Sequence, residues 1–313
     1  MRPELFRFFD TGFPSYFVLL LSGFMLATVT GILHSRRTGQ SADTIVDLGL
    51  SALLWGVAAS RIFHVFFDGH FDDYIHLCTD PSKVDWVIEK ADCLSQRYQG
   101  VWDDAKNVCH PVEGDCFAWA KFWAGGLTYY GGFIGASAAA WWMLRKDKYP
   151  FWKAADLAGV AVALGLSFGR MGCLLAGCCF GEKTSVPWAL SFPPRSIASE
   201  TQFKAQELSS LYKWSLPVHP TQVYESAACL LISAVCMIVI APRKRYDGYV
   251  FAWFLGLYAI ARFLLEMLRA DARGGAIGLS TSQLVGIPLL LIAFAIHLVR
   301  SKTVLPVHAK EAS

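Results

Sequence analysis

The sequence lacks several features that would assign it to common classes of protein. It has no internal repeat and no low-complexity tract, and none of its nine cysteines forms a CxxC pair. The formal net charge is only +3, so the charge balance does not indicate a nucleic-acid partner. The first apolar run is too long for a cleaved signal peptide, and no clean small-residue cleavage site follows it. We therefore expect that run to be retained as structure.

Apolar residues are what the sequence has in quantity. The 313 residues are 54% hydrophobic with a mean hydropathy of +0.39, which is too apolar for an ordinary soluble domain. Seven stretches approach the roughly 20 residues that a helix needs to cross a bilayer. They are residues 14–33, 44–67, 126–144, 153–169, 218–240, 248–268 and 281–299. The sequence predicts an all-α integral membrane protein of seven transmembrane helices, a single membrane domain over 1–313.

The basic residues predict how this protein is oriented. Clusters of arginine and lysine follow the first, third, fifth and seventh spans. They are Arg36 and Arg37; Arg145, Lys146 and Lys148; Arg243, Lys244 and Arg245; and Arg300 and Lys302. Short basic connections remain in the cytoplasm, so the N-terminus is expected outside and the C-terminus in the cytoplasm.

Two long outward connections follow from this orientation. Residues 68–123 form an extracytoplasmic cap insertion, and residues 171–217 form an extracytoplasmic head segment. The cap insertion carries Cys78, Cys93, Cys109 and Cys116, which predicts two disulfides with three possible pairings. A zinc site is the less favoured alternative, because the cysteine spacings are irregular.

Several charged residues lie in or beside the spans, where they are costly unless they have partners. Arg61 lies in the second span, and Arg170 is predicted to end the fourth. Arg262, Glu266 and Arg269 are spaced by four and three residues, which places them on one helical face. These residues also have purely structural explanations. Arg262 and Glu266 would form an ion pair within the helix, and Arg61 would extend toward the membrane surface.

These residues converge on one level of the predicted membrane. Arg61, Arg170, His219 and Arg262 all lie toward the outer leaflet, and His219 opens the segment HPTQVYES that also contains Gln222 and Glu225. Several arginines at one depth describe a polar cavity rather than isolated structural charges. A lipid phosphate is the obvious anionic partner.

Two further motifs leave alternatives open. The glycine-rich segment GGLTYYGGFIG, at 125–135, includes Tyr130, Gly131 and Gly132, and favours close helix packing over backbone contact with a ligand. The segment GRMGCLLAGCCFG, at 169–181, places Cys173, Cys178 and Cys179 beside Arg170. A nearby guanidinium makes a reactive thiolate possible. A structural role, as a disulfide, as packing or as ligands of an adventitious metal, is favoured.

Together these motifs resemble those of the prolipoprotein diacylglyceryl transferase family, in order and over nearly the whole membrane part. The resemblance rests on SRI at 60–62, GGLTYYGGFIGA, Asp156, GRMGCLLAGCCFG, HPTQVYES, RFLLEMLRAD and TSQLVGIP. It departs from the family pattern at Tyr130, where a histidine is common, and at Cys173 and Cys178, where asparagine and glutamate are usual.

The resemblance implies a multi-pass enzyme of the bacterial inner membrane. It would transfer the diacylglyceryl group of phosphatidylglycerol to the lipobox cysteine thiol of preprolipoproteins and release glycerol phosphate. Its partners would be these two substrates and membrane lipids. No metal or organic cofactor is implied. The alternatives are a paralogous transferase with another lipid or thiol acceptor, a non-catalytic lipid-binding membrane protein, and a thiol-redox protein that uses Cys173, Cys178 and Cys179.

The implied site residues have different roles. Arg170 is expected to be the principal phosphate ligand, with Arg262 as a second clamp and Arg61 as a weaker candidate. His219 is the better candidate for the base, since imidazole ordinarily titrates near neutral pH and a phenol such as that of Tyr130 near pH ~10. Glu225 or Glu266 would orient the base, and Tyr130 would position substrate. The remaining expected phosphatidylglycerol contacts are Gly131, Gly132, Gln222, Glu225 and Arg269.

Overall fold

The computed structural model describes residues 4–8, 11–37, 41–86, 88, 90–95, 98–122, 126–269, 275–276 and 278–303. Gly125 of the glycine-rich motif and Asp271 of RFLLEMLRAD lie outside the described residues. The chain divides into two compact units, Val46–Lys148 and a second that combines Met1–Ile45 with Tyr149–Ser313.

The described residues are mostly helical, with three short antiparallel hairpins. The helices are α1 (Ser15–Arg37), α2 (Ala42–Phe67), α3 (Phe71–Thr79), α4 (Lys90–Cys93), α5 (Tyr129–Lys146), α6 (Phe151–Ala176), α7 (Ile197–Lys204), α8 (Thr221–Val235), α9 (Tyr249–Glu266) and α10 (Thr281–Thr303). The strands are β1 (Glu4–Phe8), β2 (Thr11–Pro14), β3 (Val101–Asp103), β4 (Val108–His110), β5 (Gly275–Ala276) and β6 (Leu279–Ser280). A π-helical turn at Cys236–Ile240 and a 3₁₀ turn at Ala241–Arg243 continue α8.

Six of the described helices are long and apolar enough to cross a membrane. They are α1, α2, α6, α8 with its continuation to Arg243, α9 and α10. The described part of the chain is therefore a helical membrane protein. Helix α5 covers the predicted third span but is not among the six, because it is less apolar, with Tyr129 and Tyr130 in its first turn and Arg145 and Lys146 in its last. The seventh span and the orientation stay predictions.

Helix α6 is the centre of the unit that combines Met1–Ile45 with Tyr149–Ser313. It packs against α1, α8 and α9, and α9 in turn packs against α10. Apolar side chains of these helices form one buried cluster, which includes Val160, Ala163, Ile232, Cys236, Val250 and Phe254. Burying this cluster fixes the register of α6, α8 and α9, and so fixes the polar residues that the same helices carry near one end.

Asp156 shows how a buried charge is used in this unit. Its carboxylate accepts hydrogen bonds from the backbone N–H groups of Gly248 (2.9 Å) and Phe251 (3.1 Å), at the start of α9. Lys244 Nζ lies 2.9 Å from the same carboxylate. A carboxylate at a helix N-terminus satisfies amides that have no partner within the helix. Asp156 therefore anchors α9 to α6.

Helix α6 extends beyond the predicted fourth span. The prediction that Arg170 ends this helix is wrong, since α6 runs on to Ala176 and the head segment begins after it rather than at residue 171. The following residues Leu174, Leu175 and Ala176 are good helix formers. The helix ends at Gly177, whose φ of +74° is left-handed and whose N–H bonds back into the last turn. Glycine adopts this conformation without a steric penalty.

The Val46–Lys148 unit contains the cap insertion. Two disulfides form in it, Cys78–Cys116 and Cys93–Cys109, which confirms the predicted number and gives the pairing. The second disulfide joins α4 to the β3–β4 hairpin. Because the described residues of this insertion form no large buried apolar cluster, its fold depends on the two crosslinks.

Candidate anion-binding site

Three of the motifs meet at one end of the α6, α8 and α9 helices. The Gly181 N–H donates to the His219 carbonyl and the His219 N–H donates to the Glu182 carbonyl, both at 2.9 Å. The Glu182 N–H then donates to the Leu268 carbonyl at 2.9 Å. These backbone bonds tie the segment after α6 to the segments before α8 and after α9, as the predicted convergence of the motifs requires.

Side chains at the start of α8 strengthen this junction. Gln222 Nε2 donates to the Cys178 carbonyl at 2.7 Å, and the Thr221 hydroxyl donates to the Cys179 carbonyl at 2.8 Å. Both donors belong to the segment HPTQ and both are buried. Buried polar groups bonded in this way hold a loop in one conformation. Gln222 therefore positions the cysteine segment, which is a role that the sequence did not predict.

Three arginines and two glutamates lie together beneath this junction, and all are buried except Arg170, whose side chain is 17% exposed. Arg170 Nη2 lies 3.0 Å from Glu225 Oε1, and Arg269 Nη1 lies 3.8 Å from Glu225 Oε2. Arg262 Nη2 lies 2.7 Å from Glu266 Oε2, the predicted ion pair within the helix. Glu225 is only 3% exposed. Three positive charges against two negative ones leave a single positive charge in a buried environment.

The ion pairs do not use all of the hydrogen-bonding capacity of these residues. Glu225 Oε1 and Glu266 Oε2 lie within ion-pair distance of an arginine, but no N–H is directed at them closely enough to count as a hydrogen bond. Arg262 Nη2 instead donates to the Ser282 hydroxyl at 2.8 Å. Within the described residues, Arg262 Nη1 is buried and has no acceptor. Such a donor usually has a partner, and an anionic ligand would provide one.

Tyr258 and Cys229 show that Arg170 and Arg262 belong to one site. Both arginines act electrostatically on the Tyr258 hydroxyl and on the Cys229 thiol, and so does Glu225. Tyr258 lies one turn before Arg262 on α9, and Cys229 lies one turn after Glu225, the partner of Arg170, on α8. The two arginines therefore face one interior region. Tyr258 was not singled out from the sequence, since it lies in the apolar run YVFAWFLGLYAI, where an aromatic residue carries no signal of its own.

His219 lies at the edge of this site. Its ring Nδ1 is 3.3 Å from the Tyr224 hydroxyl, which also accepts a hydrogen bond from Trp188 Nε1 at 2.6 Å. Tyr224 follows His219 by five residues within HPTQVYES, whereas Trp188 comes from the head segment. The His219 ring is thus oriented by Tyr224 of α8, and Tyr224 is in turn held by Trp188 of the head segment.

The three cysteines of GRMGCLLAGCCFG lie beside the same arginines. Their sulfur atoms all lie within 4.8 Å of one another, and the three residues are partly exposed. Hydrogen bonds from the Cys173 and Cys178 thiols lower the pKa of Cys179, and a hydrogen bond from Arg269 and the charge of Arg170 lower it further. This is the one group of described residues whose atoms are spaced to hold a metal ion.

The remaining predicted site residues belong to the Val46–Lys148 unit. Arg61 donates to the carbonyls of Trp119 (2.8 Å), Ala118 (2.6 Å) and Gly126 (3.0 Å), and its guanidinium stacks over the Tyr74 ring at 5.2 Å. This arginine therefore holds the end of the cap insertion against α2.

The glycine-rich motif has two kinds of position. A Cβ atom on Gly131 would lie 2.7 Å from the Ala59 carbonyl, so this glycine allows α5 to pack closely on α2. Gly132 has more room, with its nearest neighbours at 3.5 Å. Tyr130 is 65% exposed and stacks edge-on against Tyr129. The packing interpretation of this motif is therefore favoured for Gly131.

The fold and the charged cluster define a polytopic helical membrane protein with a buried site of net positive charge. The family model for prolipoprotein diacylglyceryl transferase matches residues 107–299, and the chain belongs to that family. It is a membrane transferase. The motifs that meet in the structure all lie within the matched region.

Individual relatives agree with the family match. A protein of Clostridium perfringens is 31% identical over 291 residues, 93% of this chain and 92% of the relative. One of Clostridium tetani is 24% identical over 292 residues, 93% and 95% of the two chains. One of Polynucleobacter necessarius is 33% identical over 179 residues, 57% of this chain and 62% of the relative. All three carry the name phosphatidylglycerol--prolipoprotein diacylglyceryl transferase, the first with the number 2.

Proposed function

We propose that this protein transfers the diacylglyceryl group of phosphatidylglycerol to the thiol of the lipobox cysteine in preprolipoproteins, with release of glycerol phosphate. Membership of the family supports the activity, and the names of the relatives support the two substrates. The observation that carries the assignment to this site is the buried cluster of three arginines and two glutamates. Its three guanidinium groups outnumber its two carboxylates, which favours an anionic ligand such as a phosphodiester.

The phosphate would be held by Arg170 and Arg262. Arginine presents a planar fork of donors that matches phosphate oxygens and stays charged at all relevant pH values. Arg262 Nη1 is a buried donor with no acceptor among the described residues, and Arg170 meets Glu225 through a charge contact without hydrogen-bond geometry. Both guanidinium groups can therefore bind a phosphate without giving up an established hydrogen bond.

The chemical step is a substitution at carbon. The cysteine sulfur attacks the glyceryl carbon that carries the phosphate ester, a sulfur–carbon bond forms, and the carbon–oxygen bond breaks. Its electron pair leaves with glycerol phosphate, whose phosphate becomes a dianion. The arginines favour this step because the negative charge on the phosphate grows as the bond breaks. A preorganised donor of this kind lowers the barrier by about 2.7–4 kcal/mol.

His219 would accept the proton of the attacking thiol. If its Nδ1–H donates to the Tyr224 oxygen, the other ring nitrogen, Nε2, carries the lone pair that takes the proton. Tyr224 and Trp188 hold the ring in that orientation. The buried Glu225 then acts on Arg170 and Arg269 rather than on the histidine, so we assign it to positioning the arginines.

The proposed membrane arrangement has seven spans, with α5 as the third. The N-terminus lies outside and the C-terminus in the cytoplasm of the bacterial inner membrane. Residues 1–313 then form one membrane domain with the cap insertion and the head segment on the outer side. The basic clusters after alternate spans support this orientation, and the disulfides of the cap insertion suit an oxidising compartment.

The test uses purified protein in detergent with phosphatidylglycerol labelled in its acyl chains and a lipobox peptide. Label in the cysteine peptide, and none in a matched peptide with serine in place of cysteine, is the expected result. Release of glycerol phosphate in equal amount confirms which bond breaks. A peptide that stays unlabelled while another thiol acceptor is labelled would replace the proposal with a paralogous transferase. Binding of the lipid without any transfer would instead indicate a non-catalytic lipid-binding protein.

A further inference from the structure

We propose that Cys173, Cys178 and Cys179 form a zinc site with one open coordination position, and that this position binds the thiol of the substrate cysteine. The inference rests on the proposed function for the identity of that thiol. It revises the expectation from the family resemblance that no metal takes part. Three observations support this site: the placement of the sulfur atoms, their charge environment, and the lack of a fourth ligand among the described residues.

The sulfur atoms are nearly in position for a metal ion. All three lie within 4.8 Å of one another, and a tetrahedral zinc ion with Zn–S bonds of about 2.3 Å needs sulfurs about 3.8 Å apart. Rotation of the side chains supplies the remaining difference of roughly 1 Å. Cys173 lies in the last turn of α6, and the Cys178 N–H donates to its carbonyl at 3.1 Å.

The backbone that carries the cysteines is held by contacts that do not involve sulfur. The Cys178 and Cys179 carbonyls accept hydrogen bonds from Gln222 and Thr221. Cys179 has a φ of +63°, a left-handed conformation that is unfavourable for a residue with a Cβ and persists only where surrounding contacts hold it. The site is thus built before any ligand binds, which is what a metal site of definite geometry requires.

The charge environment suits thiolates. Arg170 lies one turn before Cys173 on α6, and positive charge favours the deprotonated sulfurs that bind metals. The cysteines of the apolar α8 region, Cys229 and Cys236, are by contrast fully buried and separate from this group.

A fourth protein ligand is missing from the described part of the chain. No further thiol, imidazole or carboxylate belongs to the group. Structural zinc sites have four protein ligands, whereas catalytic ones have three and leave one position for water or substrate. The cysteines are partly exposed, so an incoming thiol can reach the metal. The arrangement is that of a catalytic zinc site.

The open position explains how the substrate thiol is activated. A thiol that coordinates zinc is deprotonated outright. The substrate thiol that gives its proton to His219 is therefore far more acidic at the metal than when it is free. The bound sulfur then attacks the glyceryl carbon, the carbon–oxygen bond breaks toward the phosphate, and the thioether product leaves the metal. Zinc undergoes no redox change. This activation is useful in a chain that has Tyr130 where the family commonly has a histidine.

Cobalt(II) tests the metal site directly. The full-length protein in detergent is stripped with a chelator and titrated with Co²⁺, which gives sulfur-to-metal charge-transfer absorption and the visible bands of a tetrahedral site. We expect one equivalent per chain, displaced by Zn²⁺. The triple change of Cys173, Cys178 and Cys179 to serine should abolish these bands, whereas Cys236→Ser should retain them. If Co²⁺ gives no charge-transfer band in the stripped wild-type protein, the proposal is wrong. This outcome does not depend on any variant.

The open position is tested by adding the lipobox peptide to the cobalt-loaded protein. A fourth thiolate should raise the charge-transfer absorption, because it adds a sulfur ligand at the open position. The serine peptide should leave the spectrum unchanged, and no rise with the cysteine peptide would overturn the open position. Full transfer activity in metal-free protein would overturn the inference and leave the proposed function intact. A peptide-dependent spectrum without any lipid transfer would support the site and refute the proposed function.

Discussion

Variants of the Arg170–Glu225 ion pair can separate an effect on folding from an effect on phosphate binding. In Arg170→Gln, the 3% exposed Glu225 loses its nearer arginine and, among the described residues, is left with Arg269 at 3.8 Å. Removing one partner of a buried pair costs about 3–5 kcal/mol. We expect this single variant to lose stability and activity together. In thermal unfolding followed by tryptophan fluorescence in detergent, its midpoint should be clearly lower than that of the wild-type protein.

The double variant Arg170→Gln with Glu225→Gln removes one charge of each sign. Two arginines then face one glutamate, so the cluster keeps its single excess positive charge. We expect most of the stability to return, because neither neutral amide is a buried, uncompensated ion. The transfer rate should stay lower by a factor of about 10²–10³, since the lost guanidinium contributes about 2.7–4 kcal/mol to the barrier. Initial rates with labelled phosphatidylglycerol measure this.

The matched control is the exposed pair of Lys183 and Glu207, whose charged atoms lie 2.6 Å apart on the head segment. Changing both to glutamine should alter stability by less than about 1 kcal/mol and leave transfer unchanged. A double Arg170 and Glu225 variant that recovered stability and also transferred at wild-type rate would refute the reasoning. Arg170 would then serve the fold alone.

Three further predictions concern the cap insertion and the cysteine segment. Arg61→Ala should speed amide hydrogen exchange around residues 118–120, because each lost hydrogen bond to a charged group is worth about 1.5–3 kcal/mol; unchanged exchange would show that these contacts do not hold the segment. Replacing Cys78 and Cys116 by serine opens a crosslink of 38 residues and should destabilise the insertion by about 4 kcal/mol, seen as faster proteolysis within it, whereas equal cleavage in both proteins would contradict this. In metal-free protein the lowered pKa of Cys179 keeps more of its thiolate as pH falls, so its alkylation by iodoacetamide should slow less between pH 8 and pH 6 than that of an ordinary thiol. An ordinary thiol slows by about tenfold per unit below its pKa, and such slowing at Cys179 in peptide mass spectrometry would contradict the prediction.

Hydropathy predicted the long helices well but placed their ends poorly. The apolar runs are a property of local sequence, and six of the seven coincide with helices of membrane-spanning length. The end of α6 depends instead on Gly177, where the backbone turns left-handed. Arg170 interrupted the apolar run and was taken as its end, although an arginine whose partner is Glu225 can lie inside a helix. A charge marks a helix end only when it has no such partner.

The residues of the charged cluster were predictable as a group, but their pairing was not. The Arg262–Glu266 pair follows from a spacing of four residues on one helix. Arg61 was predicted as a phosphate ligand of lower rank, yet its acceptors are carbonyls 57–65 residues away along the chain. The disulfide pairing was open for the same reason. Contacts between distant segments depend on the packing of whole elements, which one sequence does not display.

The two glutamates of the cluster have different consequences for the site. Glu266 and Arg262 belong to the same helix, so helix geometry alone brings them together. Glu225 belongs to α8 and faces Arg170 of α6 and Arg269 beyond the end of α9, so it joins three separate segments. A carboxylate in that place offsets the cost of burying two arginines and fixes the distance between them. Because the phosphate gains charge only as the carbon–oxygen bond breaks, donors held at a fixed separation stabilise the transition state more than the bound lipid.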